Sequence, residues 1–213
     1  MTISNQSRER VKKVFEPIAL GMGRLGLTPD ALTFLGFVIT VVGAVLIAGQ
    51  LWLAGGLVIL FGGIFDMFDG TLARATGRVT TFGAFMDSVF DRAGEVIVYL
   101  GMIAGLQANG VPNGPLFAAA AMGAAVMVSY TRSKSEGLGF TSGTGMASIG
   151  IMPREVRLIV LSLGLIAAGA LGKITETLLI ALAIIAIGAT ITVIQRILHV
   201  RSQAKSAPIT TIQ

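Results

Sequence analysis

Residues 31–65 contain no Asp, Glu, Lys or Arg, and neither do residues 96–131. No other feature of the chain narrows the fold so much. A backbone crossing hydrocarbon must satisfy its own hydrogen bonds, which a helix does. One crossing takes about 17–25 residues, so each of these runs is long enough for two short spans. Residues 158–172 and 177–195 are two further uncharged runs. Together they predict six transmembrane helices, at about 31–49, 51–68, 84–106, 114–131, 155–172 and 177–197. Gln50 and residues 107–114 and 173–176 read as turns on one side, with Asn109, Gly110, Pro112, Asn113 and Gly114 as strong breakers. Residues 137–153 are also uncharged, but Gly137, Gly139, Gly143, Gly145 and Gly150 make them a flexible loop between spans four and five.

Composition agrees with an all-α integral membrane protein. Hydrophobic residues make up 54% and charged residues 13%, against about 25% charged in an ordinary soluble domain. There is no cysteine, which excludes a disulfide scaffold, a thiolate metal site and cysteine catalysis. His199 is the single histidine, so a histidine-rich metal site is excluded too. A net charge of +5 could signal nucleic acid, but the placement of the charges points to a bilayer and to no nucleic-acid partner. Six spans put both termini on one side. That side carries Arg8, Arg10, Lys12, Lys13, Arg24, Arg74, Arg78, Arg92, Arg132, Lys134, Arg154, Arg157, Arg196, Arg201 and Lys205. Only Lys173 falls on the other side. Basic loops stay cytoplasmic, so the termini are expected there, in the inner cell membrane.

Residues 1–30 lack the apolar core and small-residue cleavage site of a signal peptide. Val11, Val14, Phe15, Ile18, Leu20, Met22 and Leu25 form an apolar face beside Arg8, Lys12 and Lys13. This predicts an N-terminal amphipathic interfacial helix, with a soluble flap helix as the alternative. The chain therefore divides into a juxtamembrane segment (1–30), a six-helix domain (31–200) and a tail expected to be disordered (201–213).

Charges at a span end are costly unless they face a polar cavity. Asp66 and Asp69 are three residues apart, and Asp87 and Asp91 are four apart. Each pair lies on one helix face, and an antiparallel return brings the pairs together. Four carboxylates repel one another unless a cation joins them. All-oxygen ligands suit Mg2+, Mn2+ or Ca2+, and four can hold two ions in the manner used for phosphoryl transfer. Helix caps and ion pairs with Arg74, Arg78 and Arg92 are the structural alternative.

The full string is Asp66-x2-Asp69-Gly70-x2-Ala73-Arg74-x8-Gly83-x3-Asp87-x3-Asp91. It resembles the signature of the CDP-alcohol phosphatidyltransferases, with all eight positions filled at the expected spacing. The resemblance implies transfer of a phosphatidyl group from CDP-diacylglycerol to an alcohol, with release of CMP. It implies two Mg2+ ions (or Mn2+) on Asp66, Asp69, Asp87 and Asp91, with Asp91 also taking the hydroxyl proton. It assigns Gly70, Ala73, Arg74, Thr80 and Gly83, with Pro29, Asp30, Ala31 and Leu32 before span one, to the CDP-lipid. Thr28-Pro29 is equally a plain helix start, and Ala73 and Gly83 suit tight helix packing. The homodimer common in the family is expected by the same analogy.

Arg132, Lys134, Arg154, Arg157 and Arg196 gather at the cytoplasmic boundary and outnumber Glu136 and Glu155. They read as a pocket for a phosphate on the acceptor, or else as anchors for anionic headgroups. The segments 129–136, 153–159 and 195–196 are similar to those of phosphatidylinositol phosphate synthases, which implies inositol 1-phosphate as the acceptor. Glycerol 3-phosphate is the nearest rival. Glu95, four residues past Asp91, suits a supporting role, a pair with Arg92 or a buried acid. A transporter would carry charges at midplane, whereas spans one, four, five and six have clean middles.

Overall fold

In a computed structural model the described residues, 5–140 and 146–206, are helical with no strand. Side chains are described for these residues except 5–14, 147 and 206. The eight α-helices are α1 (Asn5–Arg24), α2 (Pro29–Ala48), α3 (Trp52–Phe65), α4 (Met67–Thr76), α5 (Thr81–Ala108), α6 (Gly114–Gly137), α7 (Arg154–Leu171) and α8 (Ile174–Ser206).

Among the described residues, four helical stretches are long and apolar enough to cross a membrane: Pro29–Ala48, Trp52–Thr76, Gly114–Gly137 and Ile174–Lys205. The other two expected spans coincide with helices, α5 and α7, that fall outside this set. The reason lies in their charges. Arg154, Glu155 and Arg157 occupy the first turn of α7, and Asp87, Asp91, Arg92 and Glu95 fill the first half of α5. The chain is a multi-pass membrane protein.

Packing pairs α2 with α5, α3 with α7, and α6 with α8, while α2–α3, α5–α6 and α7–α8 close the bundle. One apolar cluster runs through it, including Ile47, Trp52, Met102, Leu106, Ala121, Leu165, Leu182 and Ile185. The α2–α5 crossing is close because α5 presents no side chain there. A Cβ on Gly101 would lie 2.4 Å from the Ala44 carbonyl oxygen, and one on Gly105 would lie 2.3 Å from that of Ile47. Such contact through small residues is how helices associate in lipid. Outward, Val45, Leu57, Leu163, Ile187 and Ile194 are exposed. Exposed apolar side chains on four helices suit a lipid-facing surface.

α1 packs on α4. Ala19 is buried with Leu32, Phe65, Phe68 and Leu72, and the Phe15 ring lies 5.1 Å from that of Phe68. This N-terminal helix is thus docked on the protein along one side, while Ile18 and Leu25 stay exposed. Val11, Val14, Arg8, Lys12 and Lys13, part of its expected faces, lie outside the described side chains. Within the expected second span, 51–68, the helix is interrupted: α3 ends at Phe65 and α4 begins at Met67. The expected tail is helical as far as Ser206, because α8 simply continues; residues 207–213 lie outside the described residues. The loop expected at 137–153 contains a 3-10 turn (Met146–Ser148) with Met146 buried; its residues 141–145 also lie outside.

Candidate active site

Three helix starts and one helix junction build the site. α2 begins as its sequence suggests: the Thr28 hydroxyl accepts from the Ala31 N–H at 3.2 Å, and Pro29 takes the first turn. One turn on, Thr33 Oγ1 donates to Asp69 Oδ2 at 2.6 Å. Asp69 is buried on the first turn of α4 and also accepts from the Gly70 N–H. Asp66 sits at the α3–α4 junction. α4 stops at Gly77, whose φ of 67° is left-handed and cheap only for glycine. Thr80 then caps α5, accepting from the Gly83 N–H at 2.9 Å. That turn sends α5 back and brings Asp87 up to Asp66 and Asp69.

Asp66, Asp69 and Asp87 each offer a carboxylate oxygen, and these oxygens lie within 4.8 Å of one another. Ligand distances to Mg2+ or Ca2+ run from about 2.0 to 2.6 Å, so oxygens around one ion are at most about twice that apart. The donor set and its spacing fit a hard divalent cation. Asp91 stands beside this triad, held by cations. Arg154 Nη1 lies 2.8 Å from Asp91 Oδ1 and 2.9 Å from Asp66 Oδ2, and Arg92 Nη1 lies 3.3 Å from Asp91 Oδ2.

Two cavities flank the carboxylates. The first, about 260 Å³, is lined by Pro29, Asp30, Gly70, Ala73, Arg74, Thr80, Gly83 and Asp87, among others. Seven of the nine residues expected for the CDP-lipid are therefore brought together. Ala31 and Leu32 are not. Ala31 is exposed outside the cavity, and Leu32 is buried in the apolar cluster under α1. The glycine at 83 is explained: a Cβ there would lie 2.9 Å from Thr80 Oγ1 and 3.3 Å from Asp30 Oδ1. Thr33, Arg78 and Val79 also line this cavity and were not expected. Thr33 could have been found, since it lies one helical turn past Pro29.

The second cavity, about 850 Å³, opens on the other side between α5, α6 and α7. Asp87, Asp91, Arg92, Ser129, Arg132, Ser133, Glu136 and Arg154 are among its lining residues. Asp87 borders both cavities. The five cations expected to share a pocket are dispersed. Arg132 and Arg154 line it, and Arg132 pairs with Glu136 at 3.0 Å. Lys134 is exposed elsewhere, because two residues along a helix point about 200° apart. Arg157 is 1% exposed and grips Glu95 with Nε and Nη2 at 2.7 and 2.8 Å. Arg196 is buried too, donating to the carbonyls of Ile149 (3.0 Å) and Val128. The expected surplus of positive charge is thereby absorbed by Asp66, Asp91, Glu95, Glu136 and two carbonyls. Glu95 pairs with Arg157 on α7, not with Arg92 on its own helix.

Residues 26–206 match the family model of CDP-alcohol phosphatidyltransferase. The chain belongs to that family. Among its relatives, a phosphatidylinositol phosphate synthase from Cutibacterium acnes is 36% identical over 205 residues, 91% of this chain and 95% of the relative. An archaetidylinositol phosphate synthase from Pyrococcus horikoshii is 34% identical over 154 residues, covering 72% and 77%. The crystal structure of Mycobacterium tuberculosis phosphatidylinositol phosphate synthase with CDP-DAG bound superposes with a TM-score of 0.79 at 28% identity, over 94% of this chain and all of that one. A second structure of that enzyme, in complex with manganese and citrate, gives a TM-score of 0.76 at 29% identity, over 88% and 89%.

Proposed function

We propose that the protein transfers the phosphatidyl group of CDP-diacylglycerol to inositol 1-phosphate, releasing CMP and forming phosphatidylinositol phosphate. One observation carries this reading: Asp87 borders both cavities, so a donor in one and an acceptor in the other meet at the carboxylates. The relatives' names and the CDP-DAG bound to one of them support the choice of substrates.

The CDP portion lies in the smaller cavity, where Gly70 and Gly83 keep the floor low and Arg74 and Arg78 line the wall. Asp66, Asp69 and Asp87 hold one divalent ion, and Asp66, Asp87 and Asp91 contribute to a second. Mg2+ or Mn2+ held by these carboxylates would supply positive charge against the diphosphate and the departing CMP. The acceptor enters the larger cavity with its phosphate toward Arg132 and Arg154. One of its free hydroxyls faces Asp91, which Arg154 and Arg92 keep in place. The hydroxyl oxygen attacks the phosphorus bearing the diacylglycerol, Asp91 accepts the proton, and the bond to the CMP oxygen breaks.

The same reading makes α5 and α7 the third and fifth of six spans. Their charged first turns would face the site at the cytoplasmic boundary of the inner membrane. The exposed Ile18 and Leu25 would rest α1 in the interface, and the domain would run from 31 to about 206.

The test is CMP release by purified protein given CDP-diacylglycerol and Mg2+, with inositol 1-phosphate, glycerol 3-phosphate, inositol or serine. Release with inositol 1-phosphate alone is expected. Release with another of these acceptors only would overturn the acceptor assignment. Release unchanged by EDTA would remove the metal from the mechanism.

A further inference from the structure

One turn inside the Asp91–Arg154 contact, the same two helices are joined a second time. Glu95 on α5 and Arg157 on α7 form a two-pronged pair, with Nε to Oε1 at 2.7 Å and Nη2 to Oε2 at 2.8 Å. The third guanidinium nitrogen, Nη1, donates to the Met152 carbonyl at 3.0 Å. Arg157 is almost wholly buried. It opens onto a third, small cavity of about 50 Å³. Asp66, Glu95, Arg154 and Arg157 all line that cavity, together with apolar residues such as Ile59 and Leu161. Arg157 and the metal-facing Asp66 therefore line one small cavity, and Glu95 lines it with them.

A buried cation must have a partner. Two carboxylates line its cavity: Glu95, which it grips, and Asp66. Arg154 already draws on Asp66. If Arg157 turned there too, Asp66 would face two guanidinium groups in surroundings that strengthen each attraction. Its oxygens would then be withdrawn from the triad with Asp69 and Asp87. We propose that Glu95 is a positioning residue that holds Arg157 on its own side of the cavity and so keeps Asp66 available to a divalent ion. The inference rests on the metal-site reading above and adds a role to a residue that touches neither substrate nor ion.

The test is Mn2+ binding, read by electron paramagnetic resonance on protein in detergent, without substrates. Glu95→Gln keeps the shape and removes the charge. It should weaken Mn2+ binding about tenfold, within the range of coupling between neighbouring charges. Glu95→Asp keeps the charge and should stay within about threefold of wild type. The deciding variant is Glu95→Gln with Arg157→Met, which removes the competing cation as well. Recovery to within about threefold of wild type is expected, because the cation alone caused the loss. A purely structural strut predicts the reverse, since deleting both halves cannot repair the helix contact. A double variant as weak as Glu95→Gln, or a Glu95→Gln that binds Mn2+ like wild type, overturns the inference. Wild-type protein that binds no Mn2+ would instead overturn the metal-site reading, and this inference with it.

Discussion

The two cavities beside Asp87 were anticipated unequally. On the proposed donor side, seven of nine expected residues line one space; on the proposed acceptor side, two of five do. The donor residues lie on a helix start, a helix–turn–helix and their junction, where spacing along the chain nearly equals placement in space. The acceptor residues come from α6, α7 and α8. Their placement depends on helical phase and on partners distant in sequence. Lys134 is two residues from Arg132 and therefore on another face of α6. Arg157 is one turn from Arg154 and therefore deep enough to meet Glu95. Shared depth in the membrane predicts neighbours only when the facing helices are known.

Substitutions can break or sharpen that contrast. The largest effect is expected where the cavities meet: Asp91→Asn should lower CMP release by about 10³-fold, while binding of the CDP-lipid survives. Retained turnover would remove Asp91 as the base. Next, Arg154→Gln should raise the acceptor KM by about thirtyfold, the size of a lost charged hydrogen bond, and the CDP-lipid KM far less. An equal rise in both would dissolve the division into donor and acceptor sides. On the donor side, Gly83→Ala puts a carbon 2.9 Å from Thr80 Oγ1, so the CDP-lipid KM should rise about tenfold at constant acceptor KM. The smallest effect belongs to Ala31→Ser, outside the cavity. Its CDP-lipid KM should change by less than about twofold, and a larger change would return Ala31 to the donor site.

Glu95 shows why part of the site was hidden. In sequence its nearest cation on the same helix is Arg92, and the pair is a reasonable expectation. Its actual partner is 62 residues away, on a helix brought alongside by α3 and by the close α2–α5 crossing. Nothing in local spacing selects between those cations. Thr33 is the opposite case: its phase relative to Pro29 placed it on the site face, and only its partner, Asp69, required the fold.

The uncharged runs alone determined that this chain would be a helical membrane protein, because hydrocarbon leaves a backbone few ways to satisfy its hydrogen bonds. The eight-position motif put Asp87 and Asp91 on one face of α5, since residues four apart share a helix face, while the junction at Asp66 and the turn at Gly77 and Thr80 completed the carboxylate cluster. Tertiary structure decided which cations remain facing the acceptor cavity. Buried charges take whatever partner packing supplies, and packing joined Arg157 to Glu95 and Arg196 to two carbonyls, leaving Arg132 and Arg154 at the cavity.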